Sequence, residues 1–347
     1  MALTIYDVAD AKVGIAKVTG VPEQAAWGTA TADTADFLEL AVQSVEVKED
    51  VKIREGNSNY TGNRDDDIAN HQNDVKGSMP TFDIATVGGL RKNDAAPLIY
   101  GFMQNVSEGA STPYAKTYTF PATQPDFTAN AGYFATFGFK DPTASGGLKI
   151  KDCIGADKLA FNLPVDGYLE LTQTWRGRGA PAVNFAPNTG TWARSAISRF
   201  HYRDCTMIID YGSGDTTVTM IGAQSWELTQ EVVPVGNDSG NIQSYGIRNR
   251  KGTFNFTLLF GTEAQAIEAD WRTGTINKFK LRWGNATPGT VDGDLYFYFG
   301  GIVKEAKRIE GEGGIFALNI TGAIVGDAAN SVEQMTIILA DAVDRAW

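Results

Sequence analysis

The sequence predicts a mainly β protein of two tandem β-sandwich or barrel domains, each with one packed α-helix, the two related by internal duplication. Three observations carry that expectation: a composition rich in glycine (38 residues) and aromatics (11%), strand-like alternations along the chain, and an ordered series of internal matches. Glycine with aromatic and β-branched residues is the mixture that tight turns and half-buried strands require. The chain's 347 residues leave room for about two domains, each able to enclose a core.

The internal matches run in the same order in both copies. Ala41-Val42-Gln43-Ser44-Val45-Glu46-Val47 resembles Gly222-Ala223-Gln224-Ser225-Trp226-Glu227-Leu228, and Asp50-Val51 continues as Glu231-Val232. Lys76-Gly77-Ser78-Met79 resembles Lys251-Gly252-Thr253-Phe254. Asp152-Cys153-Ile154 lies against Gly300-Gly301-Ile302, and Gly167-Tyr168-Leu169 against Gly314-Ile315-Phe316. The spacing shrinks along the series, so the first copy is longer. Its excess is expected as a loop around 104–148, where Gly, Ser, Thr and Pro are dense.

Individual elements follow from local pattern. Phe279, Leu281 and Trp283 alternate with Lys278, Lys280 and Arg282, a strand with one apolar and one basic face. Tyr296-Phe297-Tyr298-Phe299 is aromatic on both faces, so protein should cover both. Met207-Ile208-Ile209 and Thr217-Val218-Thr219 flank a Gly212-Ser213-Gly214 turn, a hairpin pattern. Residues 168–175 form another strand, closed by Gly177-Arg178-Gly179. A helix is expected from Thr262, its cap, through Ala264, Ile267 and Trp271 on one face to Gly274, which stops it; a shorter piece, Pro97-Leu98-Ile99-Tyr100, is its counterpart. The expected organisation is an N-terminal arm over 1–36, a first domain over 37–185 and a second over 186–347.

Composition narrows function. With 30 basic and 41 acidic residues the net charge is −11, which opposes a sustained grip on phosphate backbones. Two cysteines, Cys153 and Cys205, cannot staple a fold of this size and read as buried small residues; two histidines, His71 and His201, exclude a histidine-rich metal centre. No G-x-S-x-G elbow, Walker A loop or H-E-x-x-H occurs, so neither catalysis nor a cofactor is expected. Asp65-Asp66-Asp67 lacks the alternate spacing of a calcium loop and reads as a charge cluster. The basic ladder Lys278, Lys280, Arg282 reads as cross-strand pairing with acids. No apolar run is long enough for a membrane helix, and the first residues carry no secretory pattern, so a cytosolic origin is expected.

Two polar stretches stand out, 56–67 and 236–250, each between the first two internal matches of its copy. Each is expected as a long mobile loop that orders against a partner. This order resembles the tail tube proteins of long-tailed bacteriophages: a strand such as Val45-Glu46-Val47, a polar loop, a Lys-Gly-Ser-Met or Lys-Gly-Thr-Phe restart, a short helix, an aromatic strand and a Cys153-Ile154 segment running to a Gly-capped strand. The resemblance spans roughly 37–178 and 204–340.

It implies β domains that join into a ring, rings that stack into a tube for DNA ejection, and a trimeric ring with pseudo-sixfold symmetry. It also implies a tape measure protein and tail-end proteins as partners, and assembly into the virion tail in the host cytoplasm. On that reading Tyr60, Arg64, Asp65, Asp66, Asp67, His71, Asn237, Asp238, Tyr245 and Arg248 make inter-ring contacts. Two other expectations stand beside it: a two-domain adhesin or carbohydrate-binding module using Tyr114, Tyr118 and Phe120, and a glycan-cleaving enzyme with paired carboxylates.

Overall fold

The computed structural model of the chain describes residues 12–17, 36–42, 45–48, 79–109, 113–129, 132–140, 147–178, 182–183, 192–194, 198–209, 214–236, 242–287, 291–310, 314–326 and 334–341. The first part of the chain supplies β1 (Lys12–Lys17), β2 (Asp36–Glu39), β3 (Val47–Lys48), β4 (Thr81–Ala85), α1 (Lys92–Met103), β5 (Asn105–Glu108), β6 (Tyr114–Thr119), β7 (Ala135–Lys140), β8 (Gly147–Leu163) and β9 (Glu170–Arg176). Two short strands follow, β10 (Ala182–Val183) and β11 (Trp192–Arg194). The remainder supplies β12 (Cys205–Ile209), β13 (Thr216–Val218), β14 (Gln224–Gly236), β15 (Ile242–Leu259), α2 (Thr262–Thr273), β16 (Ile276–Trp283), β17 (Leu295–Glu310), β18 (Phe316–Val325) and β19 (Met335–Asp341).

These elements do not separate into two sandwich or barrel domains. They form a single large mixed antiparallel sheet, neither closed nor curled, with two short helices. The sequence expectation fails at β8. A discrete domain would end there, but β8 pairs with β9 on one side and with β14, from the far half of the chain, on the other. A second link joins β6 to β19 through Ile337↔Tyr118 and its neighbours. One apolar cluster accordingly runs from Ile15 to Leu339. Phe161 of β8 stacks on Trp226 of β14 at 5.4 Å between centroids, and both rings meet Phe297 of β17, at 4.8 and 5.0 Å.

Inside this sheet one order of antiparallel pairings occurs twice. In the first part β3 pairs β4, β4 pairs β9, β9 pairs β8, β8 pairs β7, β7 pairs β1 and β1 pairs β2. In the second, β14, β15, β18, β17, β16, β12 and β13 pair in the same succession. β8 and β17 hold equivalent places. Each takes one set of partners with its first residues and another with its last. Each also carries a bulge near the change: Asp157 and Lys158 fall between paired Ala156 and Leu159, and Lys304 between paired Val303 and Glu305.

Helix α2 starts after Gly261 rather than with a Thr262 side-chain cap, buries Ala264 and Ile267, and ends at Gly274, whose φ of 71° favours glycine. α1 is longer than the sequence suggested, twelve residues, and packs on Trp175, against whose indole a side chain on Gly101 would collide.

Two stretches expected as loops are instead structured. Residues 104–148 include β5, β6, β7 and a 3-10 turn at Phe127–Ala129. In the second polar stretch β14 reaches Gly236 and β15 begins at Ile242, whose side chain joins Tyr245, Val232, Phe127 and Phe134 in a separate apolar cluster. The aromatic partners Phe127 and Phe134 come from more than 100 residues away, so the local sequence reads as polar loop. Because one core serves both halves, Trp226→Ala is expected to cost about 3–5 kcal/mol. Tryptophan fluorescence and far-UV circular dichroism should follow a single coincident denaturant transition; two resolved transitions would contradict the shared core.

Candidate assembly interface

The region with the most specific chemistry is the junction between the two halves. β8 and β14 pair over seven residue pairs, from Gln224↔Leu163 to Gln230↔Asp157. On the open face Lys158 Nζ lies 3.0 Å from Glu227 Oε2. At the far end the buried amide of Gln230 donates to the carbonyls of Phe102 (3.3 Å) and Gly155 (3.0 Å), and Arg176 Nη1 donates to the Val232 carbonyl at 3.2 Å. Such donors meet carbonyls that the ladder leaves over.

The 104–134 segment closes this junction. Gln124 donates to the Tyr245 carbonyl and accepts from the Ile247 amide, both at 3.0 Å, so its side-chain amide pairs with the β15 edge as a strand residue would. Phe127 meets Tyr245 edge-on at 6.1 Å, and the Arg250 guanidinium sits over the Phe120 ring at 4.4 Å. In the second half α2 ends at Thr273 and β16 starts at Ile276, leaving no room for such a segment.

The strands equivalent to the junction pair are β17, beyond its bulge, and β3. Residues 303–310 of β17 pair only with β18 among the described residues, and 47–48 of β3 only with β4. On β17, Lys304, Glu305, Lys307, Arg308 and Glu310 are exposed, while Val303 is buried and Ala306 and Ile309 are half-buried. α2 holds this strand: Trp271 Nε1 donates to the Lys304 carbonyl at 3.0 Å, and Glu268 accepts from Arg308 at 2.8 and 3.1 Å and from Arg272 at 3.2 Å. Hydrogen bonding from Arg308 is the main cause that holds the Glu268 carboxyl below its ordinary value. Lys158, Glu227 and Lys304, with Asn162, Phe161 and Trp226, line one open trough of about 590 Å³.

Of the residues expected to make inter-ring contacts, Tyr60, Arg64, Asp65, Asp66, Asp67, His71, Asn237 and Asp238 lie outside the described residues. Tyr245 is buried against Phe127 of its own chain. Arg248 is exposed and bonds Glu231 at 2.7 and 3.1 Å; that bond, then one from Asn249, lowers the Glu231 carboxyl. The sequence missed the junction itself, although Glu227 and its counterpart Glu46 stood in the first internal match.

Other expectations have clear positions. Lys280 of the basic ladder is buried, 3.6 Å from Asp215 and over the Tyr298 ring at 5.3 Å; desolvation lowers its ammonium, against the pull of Asp215. Burial raises both thiols, Cys153 and Cys205. His201 Nδ1 accepts from the Arg203 amide at 3.1 Å. Of the aromatics expected to stack on a sugar, Tyr118 and Phe120 are buried and Tyr114 is half-buried. No cluster of three metal-ligating side chains occurs among the described residues. None of their helices is long and apolar enough to cross a membrane. No protein-family model matches the chain, and no curated protein matches it significantly.

The Glu268 pairing has a pH signature. A carboxyl depressed by folding adds stability above the pH range where the unfolded chain's glutamate titrates, and loses it as pH falls through the depressed value. Glu268→Gln should therefore melt below the parent chain at pH 7, the gap narrowing as pH drops below about 4. A gap that stayed constant on acidification would show that the charge does not contribute.

Proposed function

We propose that the chain is a structural protein that associates with copies of itself, edge to edge, into rings whose stack forms the tail tube of a long-tailed bacteriophage, the conduit for DNA ejection. One observation carries this reading. The two halves already join through β8 and β14, and the equivalent edges, β17 past its bulge and β3, have no strand beside them among the described residues. An unpaired edge is a template for another strand, and here the two edges are complementary rather than identical. Pairing β17 of one copy with β3 of the next is a heterologous, head-to-tail contact, which closes into a ring when the rotation per chain divides a full turn.

Each chain brings two equivalent pairing units, so three chains present six, the pseudo-sixfold trimer that the resemblance implies. The net charge of −11 suits passage of DNA, since an anionic surface repels phosphate. Tape measure and tail-end proteins are the expected partners, and the virion tail, assembled in the host cytoplasm, is the expected location. The role is structural; no cofactor takes part in it.

Sedimentation of the purified chain over a rising concentration series tests the reading, with electron microscopy of the fast fraction. Closed oligomers and tubes are expected; a chain that stays monomeric throughout, with or without tail extracts as seeds, would refute it. Successive amides along a strand point to opposite sides. Of Ala306→Pro and Lys307→Pro, one therefore removes an outward amide and should block association while keeping the monomer's circular dichroism.

A further inference from the structure

We infer that the contact between copies is set in register by an ion pair, Glu46 of one copy with Lys304 of the next, repeating the Lys158–Glu227 pair inside each chain. The inference rests on the self-association reading and adds the residues that would select the partner edge.

The position of Glu46 comes from the first internal match, in which Gln43-Ser44-Val45-Glu46-Val47 lies against Gln224-Ser225-Trp226-Glu227-Leu228. Val47 after it pairs Phe82 on β4, and Leu228 after Glu227 pairs Gly252 on β15. Val45 and Val47 pack against the core while Glu46 and Lys48 are exposed, the same alternation that buries Trp226 and Leu228 and turns Glu227 outward.

Lys304 is placed by the bulges. Lys158 is the last residue of the β8 bulge, just before paired Leu159, and Lys304 is the bulged residue of β17, just before paired Glu305. Both lysines line the same trough as Glu227. The Trp271 bond to the Lys304 carbonyl anchors the backbone there and leaves the side chain exposed.

With Glu46 in the place of Glu227 and Lys304 in that of Lys158, the outer junction repeats the charge pair of the inner one. A slip of one residue would turn Val45 and Val47 outward and separate Glu46 from Lys304.

The test is charge exchange combined with cross-linking. Glu46→Lys and Lys304→Glu should each weaken association roughly tenfold per junction. The double variant should recover most of the loss. A Cys205→Ser chain with Glu46→Cys and Lys304→Cys, treated with a short bis-maleimide, should give a ladder of cross-linked multimers that the Cys205→Ser chain alone, whose remaining thiol Cys153 is buried, does not. Association at parental strength in both single variants, or oligomers without a ladder, would overturn the pair while leaving self-association standing. A parent chain monomeric at every concentration would overturn self-association itself, and the pair with it. Circular dichroism of each variant separates loss of association from loss of fold.

Discussion

Everything in this molecule depends on how the second half of β8 satisfies both of its edges. A strand in the interior of a sheet must find partners for its amides and carbonyls on two sides, and an unmet buried group costs about 1–3 kcal/mol. β9 meets one side and β14 the other. With that second pairing in place, Phe161 and Trp226 must stack, both must press on Phe297, and the core of one half becomes the core of the whole. The chain therefore has one core and one sheet where its pattern of pairings would have allowed two.

The two junctions implied by this arrangement are unequal. Inside the chain, β8–β14 pairing is reinforced by Gln124 on the β15 edge, by Phe127 against Tyr245 and by β6 beside β19. All three come from the segment between α1 and β7, which has no counterpart between α2 and β16. No such support lies beside the outer edges of β17 and β3 among the described residues, so in the proposed assembly the outer contact would rest on backbone pairing and surface charge and would require a second copy at sufficient concentration.

Much of the local structure was legible. Alternation placed β16, the double-sided aromatics placed the interior of β17, and Ala264, Ile267 and Gly274 placed α2. Lys280 does have an acid beside it, Asp215, but from the residue before β13 and not from a strand that pairs with β16. What was not legible depends on distant partners. Ile242 and Tyr245 sit among polar residues and become strand only because Phe127 and Phe134 cover them. The 104–148 stretch has the glycine and proline of a loop, yet β6 finds a ladder with β19, more than 200 residues away. Domain separation was misjudged for the same reason: a strand's second edge leaves no mark on its own sequence, since side-chain alternation reports the two faces of a sheet and is silent about its margins.

That silence also explains why the outer margin of β17 reads as surface. Lys304, Glu305, Lys307, Arg308 and Glu310 are the residues with which a protein discourages indiscriminate strand addition. Lysines and glutamates along an edge repel any strand that cannot answer their pattern, while leaving the backbone groups available to one that can. Exposed Glu46 precedes β3, exposed Lys48 lies in it, and among the described residues the strand has only two residues, too short to recruit an arbitrary partner by backbone bonds alone. In the proposed assembly each edge would be weak as a general template and specific toward the other, two properties that a uniformly apolar edge would not provide.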